Sequence, residues 1–144
     1  MNESLGNSAD WRMFVSRSLA IWIVLMLAEI THGILRAILL VPWVGEFRSN
    51  QIGVFTGSVI ILVIVYFTIR WIGATGRWAP LVVGAIWLML TVAFEVLFGR
   101  LVVKVSWERI ASDYNLLQGG MMPIGLLILF FSPLVALMLR KLNK

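Results

Sequence analysis

The chain contains no cysteine. That excludes disulfides, thiolate catalysis, zinc–thiolate sites, iron–sulfur clusters and S-acylation. It contains one histidine, so a bis-histidine haem cannot be built within a single chain. Charge is scarce too: 13% of the 144 residues are charged, against about 25% in an average soluble domain. Hydrophobic residues make up 60%. A soluble fold of about 150 residues buries only about 70% of its surface, too little to hide that much apolar side chain. These shortages set aside a soluble enzyme, a nucleic-acid module and a disordered tail. The net charge of +5 comes from bases that flank apolar runs. There they read as topology and headgroup contacts rather than as a nucleic-acid surface.

What is present is four long apolar stretches, at about 19–41, 52–72, 80–103 and 121–139. Each is near the roughly 20 residues that a helix needs to cross a hydrocarbon core. The second and fourth lack the polar stripe of a soluble bundle helix. A membrane barrel would need shorter, alternating segments and more of them. The expected fold is therefore all-α, a single polytopic transmembrane domain over residues 1–144 with four membrane-spanning helices. Residues 1–16 read as a cytoplasmic tail, polar and mobile over its first ten residues. Arg12 and Arg17 precede an apolar run in the manner of a secretory signal. The run continues past Ala28 with no small-x-small cleavage site, so it reads as a retained first helix.

Basic residues set the expected orientation in a cytoplasmic (inner) membrane of bacterial type, N-in and C-in. The inside then holds Arg12, Arg17, Arg70, Arg77, Arg140, Lys141 and Lys144, and the outside Arg48, Arg100, Lys104 and Arg109. Trp11, Trp71 and Trp78 mark the inner interface, Trp43 and Trp107 the outer one. Gly73 to Trp78 reads as a tight inner turn and Trp43 to Gln51 as a short outer loop. The outer segment 104–120 carries its own pattern. Ser106 is a candidate N-cap, and Trp107, Ile110, Ala111, Tyr114 and Leu117 recur at helical spacing. A short interfacial helix is expected there, between the third and fourth spans, ended by Gly119-Gly120.

The most informative feature is Glu29-Ile-Thr-His32-Gly-Ile-Leu-Arg36 in the first span. Positions i, i+3 and i+7 share one helix face. A charged group at a helix centre costs roughly 2.5–3.5 kcal/mol on insertion scales, so three on one face should point into a bundle, a cavity or a partner. The third span adds Glu95. Counting residues from the outer boundary sets Arg36 and Glu95 at similar depth, and an Arg36–Glu95 ion pair is expected as a gate or clasp. Glu29 and His32 extend it inward as the proton- or ion-binding pair. Gly53-x-x-x-Gly57 on the second span is a small-xxx-small packing surface. The fourth span, with Ser132 as its one polar side chain, is expected to face lipid, bent at Pro123 and Pro133.

Several functions fit this pattern. A midplane carboxylate beside a histidine suits proton- or ion-coupled transport or permeation. A non-catalytic accessory subunit would use the same charges to meet a partner membrane protein. Glu29-x-x-His32 has the spacing of di-iron carboxylate bundles, but one motif plus Glu95 falls short of that ligand set, so no metal and no cofactor is expected. Arg100, Trp107, Asp113, Tyr114 and Asn115 form an outer-face contact group that suits a lipid headgroup. No second histidine or nucleophile elbow accompanies it, which argues against an enzyme. The expected partners are the lipid bilayer, a small solute or ion, and either further copies of the chain or one partner membrane protein, with no nucleic acid. A transporter should set Glu29 beside a water-accessible cavity; a subunit should leave an apolar, small-residue face uncovered.

The size, the four spans and the first-span Glu29 are similar to the small multidrug-resistance transporters. The order Glu95, Arg100, Asp113, Asn115, Gly119 loosely resembles VanZ-type membrane proteins. The first resemblance covers architecture and one residue and the second only the last third of the chain; neither assigns a family.

Overall fold

Apolar runs broken by few prolines propagate as helix. The computed structural model describes the backbone of residues 2–144 and the side chains from Asp10 onward. The helices are α1 (Asn2–Leu39), α2 (Val41–Ile72), α3 (Trp78–Leu101), α4 (Trp107–Asp113) and α5 (Met122–Leu142). All but α4 are long and apolar enough to cross a membrane. The backbone is helical from Asn2. From Asp10 on, the expected tail is therefore the start of α1, and its earlier side chains lie outside the described residues.

The connections depart from expectation in ways that matter for the site. Trp43–Gln51, expected as a loop, is helical apart from a break at Gly45 (φ 82°, ψ 166°). The chain reverses at Gly45; Leu40 keeps right-handed backbone angles, and its carbonyl accepts from the N–H groups of Trp43 and Val44. Pro42, in the first turn of α2, lacks only an N–H that the helix start leaves unpaired. Ser49 and Asn50 thereby become helical residues opposite α1. At the other end α2 stops at Gly73 (φ 84°), whose N–H returns to the Arg70 carbonyl, and the tight turn to Trp78 forms as expected.

Ser106 caps α4 as expected, accepting from the Arg109 N–H at 3.2 Å. The helix ends early, at Asp113. The Asn115 side chain accepts from the Leu117 N–H and starts a 3₁₀ turn over Leu116–Gln118 instead. A Cβ at Gly120 would stand 2.4 Å from the Ser112 carbonyl oxygen, so only glycine lets this segment fold back on α4.

The four long helices form a ring in the order α1, α2, α5, α3, with α1 and α3 meeting along a thin seam. Contrary to expectation α5 is no lipid-facing outrider. Leu126, Leu129, Ser132, Pro133 and Ala136 are buried against α2 and α3. The cause is Gly84 on α3, where a Cβ would lie 2.0 Å from the Phe130 carbonyl oxygen of α5. Two backbones touch there, as small residues allow in membrane bundles. Pro123 sits in the first turn of α5 rather than at a bend. Leu25, Val65, Ile69, Val83 and Trp87 form a slim core. Leu27, Phe55, Phe67, Met89, Leu127 and Met138 point outward, the distribution suited to surrounding lipid.

Two tryptophans outside the expected interfacial belts join α1 to α3. The Trp22 indole donates to Thr91 Oγ1 at 3.0 Å, and the Trp87 indole to the Ser18 carbonyl at 2.8 Å. Each pair is 69 residues apart, so α1 and α3 run parallel in one register. Gly84→Ala should lower the thermal midpoint of the detergent-solubilised chain, because a backbone oxygen cannot step aside. Gly125→Ala, where nothing lies within 4 Å of the added carbon, should leave it unchanged. Equal midpoints would mean that the α3–α5 contact is looser than this geometry requires.

Candidate functional site

Glu29, His32 and Arg36 share a face of α1, and that face lies over Gly53, Thr56 and Gly57 of α2. A Cβ at Gly53 would stand 2.6 Å from Arg36 Cδ, and one at Gly57 would stand 2.8 Å from Glu29 Oε2. The small-residue pair is thus more than a helix contact: it is the floor on which the charged side chains rest. Thr56 is the polar member of that floor. Its Oγ1 lies 2.8 Å from His32 Nε2 and donates to the Ile52 carbonyl at 2.9 Å, the usual i−4 bond of a helical threonine. His32 Nδ1 faces Glu29 Oε2 at 3.6 Å, with side-chain exposures of 18% for His32 and 28% for Glu29. The other carboxylate oxygen, Glu29 Oε1, is buried without a hydrogen-bond partner.

The expected Arg36–Glu95 ion pair does not form. Arg36 turns to α2, where Nη1 donates to Ser49 Oγ at 3.0 Å and Asn50 Oδ1 at 2.6 Å. The reason is register. With Trp22 opposite Thr91, Glu95 falls opposite Met26, ten residues short of Arg36. At about 1.5 Å rise per residue that offset is about 15 Å along the axis. Counting inward from the span ends missed this, because α1 and α2 extend past the end of α3.

Between α1, α2, α3 and α5 lies a cavity of about 430 Å³. Glu29, His32 and Arg36 line it from α1, Asn50 and Ser58 from α2, and Glu95 from α3. Asp113, at the end of α4, lines it as well. Aliphatic side chains and glycines make up most of the rest, with three methionines and Phe94. Ionisable groups of both signs therefore share one half-open cleft, with Glu95 and Asp113 on its exposed side.

The expected outer-face group divides. Asp113 turns toward the cavity. Burial, then the Glu95 and Asp113 carboxylates, push the Tyr114 hydroxyl above the usual tyrosine range. That hydroxyl has no hydrogen-bond partner. Arg100 does not reach away from the chain. It donates to the Val105 carbonyl at 3.0 Å and covers the Trp107 ring at 4.7 Å, tying α3 to α4. Asn115 caps the 3₁₀ turn, and Trp107 stays exposed. Sequence reasoning missed Ser49 and Asn50 as Arg36 partners, because they fell in a supposed loop. Two polar residues soon after an intramembrane arginine were the available signal. No protein-family model, curated protein or solved structure matches the chain.

A double-mutant cycle separates the two arrangements of Arg36. Arg36→Ala and Asn50→Ala should couple by about 0.5–3 kcal/mol in thermal unfolding, as contacting residues do. Arg36→Ala and Glu95→Ala should combine additively. Coupling in the second cycle and none in the first would restore the ion pair.

Proposed function

We propose that the chain is a small membrane transport or permeation protein in which Glu29 and His32 carry a proton or cation. The observation that carries this reading is that both residues line the 430 Å³ cavity, the placement a transporter needs and a passive subunit does not. Arg36, held by the neutral partners Ser49 and Asn50, keeps a fixed positive charge at the α4 end of the void. Glu95 and Asp113 bring two carboxylates to the same cleft, Glu95 about 15 Å along the axis from Arg36. The cavity thus offers a solute or ion both signs of charge, and Glu29 offers an unpartnered oxygen.

The excess of basic residues near both termini supports an N-in, C-in orientation in a cytoplasmic membrane, so that the α4 end faces outward. Apolar side chains on every long helix leave room for neighbours in the bilayer, whether copies of the chain or a partner membrane protein.

The absence of cysteine makes the test direct. Gly33 and Gly125 line the cavity and have open space where a side chain would begin. Gly33→Cys and Gly125→Cys should therefore react with a membrane-impermeant thiol reagent, whereas Val63→Cys, on an outward apolar face, should not. In proteoliposomes energised by a potassium diffusion potential, Glu29→Gln should cut proton uptake to the level of empty vesicles at unchanged protein content. Inaccessible cysteines together with unaltered uptake would favour the accessory-subunit reading instead.

A further inference from the structure

The Glu29–His32 pair has a third member whose hydrogen can be located. A threonine hydroxyl has one hydrogen and a backbone carbonyl only accepts. Thr56 Oγ1 lies 2.9 Å from the Ile52 carbonyl and 3.3 Å from that of Gly53, so its hydrogen points back along α2. It then has only lone pairs to offer His32 Nε2 at 2.8 Å, and Nε2 must carry a hydrogen to meet them. Which ring nitrogen is protonated is set by the bond that the other makes. The second nitrogen, Nδ1, is thereby turned toward Glu29 Oε2 at 3.6 Å.

From this we infer that Thr56 is a positioning residue that fixes the Nε2–H tautomer of His32 and makes Glu29 Oε2 and His32 Nδ1 the two ends of a single-proton store. With no proton between them, two lone pairs oppose each other across 3.6 Å. With one, either the carboxyl donates to the ring or the imidazolium donates to the carboxylate. Moving between those states shifts one proton and no other atom gains or loses one, and the 3.6 Å separation closes to hydrogen-bond distance for the transfer. Gly57 makes the geometry possible, since a Cβ there would stand 2.8 Å from Glu29 Oε2 and 3.4 Å from His32 Cε1.

Other charges bear on the pair from known directions. Arg36 stands one turn along α1, Glu95 reaches the cavity from α3, and Asp113 reaches it from α4. Neither α2 nor α5 adds an ionisable group to the lining. Two groups therefore compete for the tautomer: the Thr56 hydroxyl favours Nε2–H, and an ionised Glu29 favours Nδ1–H.

The inference deepens the transport reading and rests on it for its purpose, though not for its geometry. Its test uses the single histidine, which gives one pair of ring-nitrogen resonances. The full chain, labelled with ¹⁵N-histidine in phosphatidylethanolamine and phosphatidylglycerol bilayers, should show neutral His32 as the Nε2–H form. Thr56→Ser should keep that form. Thr56→Val should shift the ratio toward Nδ1–H by roughly fivefold, the factor one net hydrogen bond carries. A neutral wild-type ring protonated at Nδ1 would overturn the inference without any variant, and an unchanged ratio in Thr56→Val would overturn it also. The Nε2–H form together with normal proton uptake in Glu29→Gln would sink the transport reading and leave the tautomer standing. The Nδ1–H form with uptake lost in Glu29→Gln would do the reverse.

Discussion

Where Glu95 stands relative to the charged face of α1 follows from the register of α1 against α3, and two indole hydrogen bonds hold that register. In lipid, apolar faces slide past one another with little penalty, because hydrocarbon is as good a neighbour as leucine. Directional bonds decide instead. Trp22 to Thr91 and Trp87 to Ser18 lock the helices at two points one turn apart. Beyond Trp22 and Thr91 no further bond joins α1 to α3 among the described residues. Glu29, His32 and Arg36 lie beyond that point, and the cavity opens where they lie. Trp87, fully buried, is the centre of the core as well as the anchor of the seam.

The second constraint is the glycine stripe of α2. Three ionisable groups within one helix face are costly in a membrane. The chain meets that cost with local hydrogen bonds. Arg36 bonds Ser49 and Asn50, and His32 bonds Thr56. Both sets reach their partners only because Gly53 and Gly57 leave room for long side chains to lie flat across α2. Buried charge is tolerated through space cleared by missing side chains as much as through partners.

Much of the architecture was legible in the sequence. Hydropathy marks four long helices, and Ser106 and Gly73 mark a helix start and a helix stop where the chain has them. The shared face of Glu29, His32 and Arg36 follows from helical periodicity alone. Depth was not legible. Residue counting assumes that every helix ends at the same plane, whereas α1 and α2 outrun α3, and this misplaced Glu95 relative to Arg36. The role of α5 was not legible either. A helix whose apolar span carries a single polar side chain, Ser132, looks idle by composition, yet the decisive residue, Gly84, lies on its neighbour. The early end of α4 was not legible, because the Asn115 side chain starts a 3₁₀ turn there, a local bond that competes with helix and leaves no trace in hydrophobic spacing.

Gly33 and Gly125 have a different consequence from the glycines that carry close contacts. Both line the cavity, and a Cβ added at either would meet nothing within 4 Å. A larger residue at either would take volume from the void without moving a helix or altering a charge. Gly53 and Gly57 are the opposite case, since any growth there displaces Arg36 or Glu29. How much the cavity holds and which charges surround it are therefore governed by separate residues. A lineage of such chains could change the volume of that cleft through single substitutions while leaving the charged groups around it untouched.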